Sequence, residues 1–119
     1  MHTIVETPSF QKSAAAAGMT ADEIVSLIVY LAANPDAGDP IKDTGGCRKL
    51  RVAGRGKGKS GGYRVITFFS GEAIPVFLFY AYSKSDRSDL DGKQRNALHS
   101  VTKEIVETYG RRKAIRSVK

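Results

Sequence analysis

The apolar residues of this chain change their period between Leu31 and Cys47. Ile24, Leu27, Ile28 and Leu31 recur at helical spacing, whereas from Cys47 to Tyr82 apolar residues alternate along stretches bounded by turn residues. The segment NPDAGDPIKDTGG (residues 34–46), with two prolines and three glycines, separates the two regimes and reads as a loop. A chain of 119 residues has room for about one core, so a single domain over residues 1–119 is expected, its helices laid on its sheet.

The β part reads as three strands, near 48–52, 62–69 and 74–82, joined by turns at GRGKGKSGG and Ser70-Gly71-Glu72, which makes an antiparallel meander. Ahead of it, β-branched residues 2–7 suit a first strand. Pro8-Ser9 offers a break and a cap, and an Ala-rich helix over 10–17 ends at Gly18. Thr20 and Glu23 form a capping box for a second helix, which stops at Asn34-Pro35. Helical spacing returns over 90–109 through Leu98, Val101 and Ile105, with Asp91 as N-cap and Gly110 as the stop, and the basic tail 111–119 is expected to be mobile. The order β-α-α-β-β-β-α gives an α+β class with the helices gathered on one face of an antiparallel sheet.

Charge then narrows the function. Residues 47–64 carry seven cations (Arg48, Lys49, Arg51, Arg55, Lys57, Lys59 and Arg64) and no Asp or Glu, a charge equal to the net +7 of the whole chain. Such a block repels itself and calls for a polyanion or an acidic partner. GRGKGKSG lacks the spacing of a P-loop and joins two strands, not a strand and a helix. No apolar run nears the roughly 20 residues that span a bilayer. The start MHTIVETPSF lacks a signal-peptide pattern, so a cytoplasmic protein without a membrane partner is expected. Cys47 has no second cysteine to pair with, and His2 and His99 do not cluster with it, so neither metal nor other cofactor is expected. Cys47 reads as an apolar filler, His2 as part of a frayed terminus and His99 as a surface or packing residue on the last helix.

Strand alternation sorts the side chains. Lys49 and Arg51 share one face of their strand, opposite Leu50 and Val52. On the last strand Val76, Leu78, Tyr80 and Tyr82 fall opposite Phe77, Phe79 and Ala81, and the latter, all-apolar set is expected to pack on the helices. The other sheet face then combines cations with tyrosines, with Arg64 between them, which suits holding phosphates while stacking bases.

The segments LAANPDAGDPIKDTGG, GCRKLRVAGRGKGKSGGYRVITFF and AYSKSDRSDL resemble the RelE/HigB toxins of bacterial toxin–antitoxin pairs, most closely the HigB-like branch, across roughly residues 3–105. The resemblance implies a compact antiparallel sheet with two N-terminal helices packed on one face and a C-terminal helix. It also implies a metal-independent mRNA endoribonuclease acting in the ribosomal A site, with ribosomal RNA, mRNA and a cognate antitoxin as partners. By motif position Lys49 and Arg51 match the basic pair of the family's first hairpin strand, Arg64 the arginine of GYR, and Lys84 a basic position after the last strand. Arg64 is thereby expected to clamp the reacting phosphate, Lys49 or Arg51 to activate the nucleophile or hold the phosphate, Lys84 to act as general acid and Tyr82 to stack on a base. Arg48, Arg55, Lys57, Lys59 and Tyr80 are expected to grip RNA. A further arginine and tyrosine of RelE fall on Ser85 and Asp91 here, and neither histidine matches those that some HigB toxins use. Two other readings remain open: a basic module that holds nucleic acid without cutting it, and a ParE-like inhibitor of DNA gyrase.

Overall fold

The structure, a computed structural model, describes residues 2–54, 62–84 and 90–118. Helix α1 (Pro8–Ala17) follows strand β1 (Ile4–Glu6), and its N-cap is Thr7, two residues before the Ser9 cap that the sequence suggests. The Thr7 hydroxyl accepts from the Phe10 amide, while Pro8 takes the first helical position, where its missing N–H costs nothing. Gly18 closes α1 with a φ of 86°, and α2 (Ala21–Ala33) opens on the expected Thr20/Glu23 capping box and ends at Asn34. Short strand β2 (Asp39–Pro40) lies inside the segment read as a loop, paired with β3 (Cys47–Val52). β3, β4 (Tyr63–Phe68) and β5 (Val76–Ser83) form the expected antiparallel meander. The whole sheet runs β1-β5-β4-β3-β2 and is mixed, not antiparallel throughout, because β1 lies parallel to β5 with Ile4 opposite Val76. His2 is held, not frayed: its amide donates to the Ala32 carbonyl, and its Nε2 lies 2.7 Å from the Ile74 carbonyl oxygen.

Helices cover both faces of the sheet, where one was expected. Phe10, Ala14, Leu27 and Leu31 of α1 and α2 pack on Tyr63, Val65, Val76, Leu78 and Ala81. The opposite face, Ile66, Phe68, Phe77 and Phe79, is covered by Leu90 and by Leu98, Ile105 and Tyr109 of α3 (Gly92–Val118). α3 starts at Asp91 as expected, since the Asp91 carboxylate accepts from the Gln94 amide and the Gln94 side chain accepts from Asp91 in return. It does not stop at Gly110, however: a glycine weakens a helix interior by about 1 kcal/mol, too little to end one by itself. Buried Thr102 ties α3 to the loop before β3 by donating to the Thr44 carbonyl. Gly45 lets that loop in, for its φ is 76° and a Cβ there would collide with the Thr102 hydroxyl.

Strict alternation also fails on β5. Ile66 pairs with Tyr80 and Thr67 with Leu78, so Phe79 has no partner opposite it and forms a β-bulge. Past the bulge the faces exchange. Ala81, not Tyr80, joins Val76 and Leu78 against α1, and Tyr80 and Tyr82 join Phe77 and Phe79 on the α3 face.

Two outcomes follow from this packing. Phe10 is fully buried, so Phe10→Ala should lower the unfolding free energy by roughly 3–5 kcal/mol, whereas Val29→Ala, at an exposed site on α2, should change it by about 0.5 kcal/mol or less in urea titrations. Cys47 is 1% exposed, and burial outweighs the Thr44 hydroxyl in pushing its thiol from 9.0 up to about 11. The unfolded chain therefore loses this proton first, so stability should decline as pH rises from about 9 to about 11. Comparing pH-dependent urea midpoints of the protein and Cys47→Ala isolates that contribution, which the variant should lack.

Candidate nucleic-acid interface

The register of the meander assembles the cations. Arg51 on β3 stands directly opposite Arg64 on β4, and Arg64 opposite Tyr82 on β5, so one cross-strand row reads Arg51, Arg64, Tyr82. The next row on the same face reads Lys49, Ile66, Tyr80. Side chains directly opposite one another have Cβ atoms about 4.5–5.5 Å apart, so three cations and two tyrosines occupy a patch about three strands wide and two rows long. The Tyr80 and Tyr82 rings lie 6.3 Å apart, centroid to centroid, at 46°.

Burial is graded along this face. On β3 it falls from buried Cys47 through half-buried Lys49 to exposed Arg51. Arg64 is half-buried, its guanidinium donating to the Tyr63 carbonyl at 3.4 Å, and Tyr82 is buried. The start of β4 is firmly held: the hydroxyl of buried Tyr63 reaches the Gly18 carbonyl and the Glu23 carboxylate, each at 3.2 Å. That carboxylate also accepts from the Thr20 amide, so the α1–α2 junction is fastened to the residue before Arg64. Gly62 permits the close approach of β4 to β3, since a Cβ there would lie 2.6 Å from the Val52 carbonyl oxygen. Chemically, such a patch can neutralise a phosphodiester with two guanidiniums and an ammonium while presenting aromatic surface to a base.

Among the residues expected at the site, Lys49, Arg51, Arg64, Tyr80 and Tyr82 are brought together. Lys84 follows the end of β5, exposed, with its amide bonded to the Gly62 carbonyl at the open end of the hairpin. Arg48 is set apart: it alternates to the other side of β3, and its guanidinium donates to the Gly38 carbonyl at 3.1 Å. Arg55, Lys57 and Lys59 lie outside the described residues, as does Ser85. Asp91 is occupied as the α3 cap, and His99 is exposed on α3. Sequence reasoning missed Tyr63 and Glu23, as well as the α1 hydroxyls that meet the β5 bulge. The phase slip of the aromatic residues in VFLFYAY, from 77 and 79 to 80 and 82, was the available signal for that bulge. No group of three His, Cys, Asp or Glu placed to hold a metal occurs among the described residues. Nor is any described helix long and apolar enough to cross a membrane.

Comparison with known proteins agrees with this architecture. A family model described as "RelE toxin of RelE / RelB toxin-antitoxin system" matches residues 3–115. A solved structure of the E. coli toxin RelE, an arginine-to-alanine double mutant in the free state, superposes with a TM-score of 0.53 at 16% identity. The match covers 71% of this chain and 85% of that one, and at such identity the likeness is one of fold.

Like charges directly opposite in a sheet destabilise it, by a few tenths to about 1 kcal/mol. Arg51→Glu, which turns the Arg51–Arg64 pair into an attractive one, should therefore raise the thermal midpoint at low salt. The gain should shrink near 1 M salt, where screening extends over only about 3 Å, and melting curves at the two ionic strengths check it.

Proposed function

The chain belongs to the RelE toxin family, and from that footing we propose that it is an endoribonuclease that halts translation by cutting mRNA in the ribosomal A site. The observation that carries the reading is the cross-strand row Arg51, Arg64, Tyr82 beside Lys49, which puts three cations and an aromatic pair on one face. The reaction is attack of a ribose 2′-hydroxyl on the adjacent phosphorus. The P–O2′ bond forms, the P–O5′ bond breaks, and the products are a 2′,3′-cyclic phosphate and a 5′-hydroxyl end. Extra negative charge gathers on the phosphoryl oxygens, where guanidiniums act directly and no metal is needed.

Arg64 takes the part of phosphate clamp, with Arg51 beside it. Lys49 serves the attacking hydroxyl, and Lys84, at the open end of the hairpin, supplies the proton to the leaving 5′ oxygen. Half-buried Tyr80 supports a base by stacking, and Tyr82, expected to stack as well, is buried beside it and can only back that ring. Arg48 is left out of the reactive centre because its guanidinium is engaged at Gly38. Arg55, Lys57 and Lys59 extend the positive charge of the same hairpin and dock on ribosomal RNA. The Gly-rich hairpin sequence followed by GGYRVI supports a HigB-like variant of the family. A cognate antitoxin silences the protein by laying an acidic segment over the cationic face, where charge complementarity is greatest.

Expression of the wild-type chain should arrest growth. Arg64→Ala should relieve the arrest and slow cleavage on purified ribosomes by roughly 10²–10³-fold, the range for losing one preorganised donor at a developing anion. Mapping the new 5′ ends and testing them for a free hydroxyl checks both site and chemistry. Arrest with intact messages, or an Arg64→Ala variant as toxic as the wild type, would remove this reading in favour of a gyrase target or of binding without cleavage.

A further inference from the structure

β1 covers the outer edge of β5 only as far as Leu78, which pairs with Glu6. Beyond that point the outward-facing backbone of β5 would be an open strand edge, and this is where the bulge at Phe79 lies. Helix α1 closes it with three hydroxyls. Thr7 donates to the Leu78 carbonyl at 2.7 Å, Ser9 donates to the Phe79 carbonyl at 2.8 Å, and the Ser13 hydroxyl accepts from the Ala81 amide at 2.9 Å. Ser13 can do so because its own proton is directed to the Phe10 carbonyl at 3.2 Å, one turn back in α1. The bulge is thus bracketed by two serines four residues apart, on one face of one helix.

What the bracket fixes is the aim of the aromatic pair. Strict alternation would send Tyr80 toward α1 and Ala81 toward α3. With the extra residue held at Phe79, small Ala81 meets α1, and Tyr80 and Tyr82 turn to the face that carries Lys49, Arg51 and Arg64. We propose that Ser9 and Ser13 are positioning residues, which hold the β5 bulge so that Tyr80 and Tyr82 turn to the face of the cations, where buried Tyr82 packs in the core beside half-buried Tyr80 and Tyr80 receives an RNA base. The part of this inference that concerns RNA rests on the function proposed above; the part that concerns the tyrosines does not.

The test compares the full chain with Ser9→Ala/Ser13→Ala, and with Ser9→Thr/Ser13→Thr, which keeps both hydroxyls. In NMR spectra of the alanine variant the Ala81 amide should exchange at least tenfold faster, and the contacts between the Tyr80 and Tyr82 rings should weaken. The threonine variant should keep both signals. Single-turnover mRNA cleavage on ribosomes should fall about tenfold in the alanine variant. In a chain already carrying Tyr80→Ala, the same serine substitutions should cost little more, because the group they aim is gone. Ring contacts and amide exchange unchanged from wild type would overturn the proposal. So would an equal loss of cleavage with and without Tyr80, which marks general destabilisation. If the double variant fails to fold, exposed Ser9→Ala alone, whose hydroxyl meets the Phe79 carbonyl, is read by the Tyr80–Tyr82 ring contacts and by cleavage with and without Tyr80. A wild-type chain that cleaves nothing would sink the proposed function, while the amide and ring measurements would still decide whether the serines position the tyrosines.

Discussion

The register between β4 and β5 is the constraint on which the rest of this structure depends. Both hydrophobic clusters include residues of β5, one on each side, so the strand cannot move by one residue without exchanging what each cluster receives. Ahead of the bulge Val76 and Leu78 fill the α1/α2 side while Phe77 and Phe79 fill the α3 side. Behind it the order resumes one residue later. The bulge therefore lets one strand place four aromatic residues on a single face while a small residue, Ala81, fits beneath α1.

That face is divided by what charge allows. An ammonium or guanidinium cannot be covered by a helix without a partner at a tolerable cost, so the cations stand where α3 ends its cover. Cys47, Phe68 and Phe77 occupy the end beneath α3 with Ile105 and Tyr109, whereas Arg51 and Arg64 occupy the opposite end of the same strands. Two arginines opposite one another do not help a sheet to form. The fold bears them because the neighbouring positions are over-determined: buried Tyr63, with its links to Gly18 and Glu23, and Val65 secure β4 on either side of Arg64. A stiff scaffold carrying a self-repelling cluster is the arrangement expected where an anion is to be bound.

Local signals were legible in the sequence where one interaction decides the outcome. The Thr20/Glu23 box, the Asp91 cap, the Gly18 stop and the three-stranded meander each follow from a few adjacent residues. The meander's alternation placed Lys49, Arg51 and Arg64 on one face, but the tyrosines reach that face only through the bulge at Phe79. Long-range choices were not legible. Nothing local tells that residues 4–6 join β5 in parallel, that α3 takes the face opposite α1 and α2, or that Asp39 and Pro40 pair with β3. Alternation failed at Phe79 because a bulge is stabilised from outside its strand, here by hydroxyls about seventy residues away in sequence. Gly110 failed as a stop because a glycine ends a helix only when the backbone turns left-handed there, and no Schellman-type cap was specified around it.

The same distinction explains how a chain only 16% identical to E. coli RelE keeps its fold. The apolar positions of the two clusters require volume and phase, which many residues satisfy. The cations of the row require particular register positions, yet Arg51 and Arg64 belong to neither hydrophobic cluster. Sequence can therefore drift over the cores while the fold persists, and the site depends on register alone to keep Arg51, Arg64 and Tyr82 in one line. Because β5 supplies the tyrosines and carries the bulge, the packing of α1 against the edge of that strand bears on a face it never touches. The core packing of β5 and the facing of its tyrosines in this toxin family member are in this sense decided at one place, the outer edge of β5 between Leu78 and Ala81.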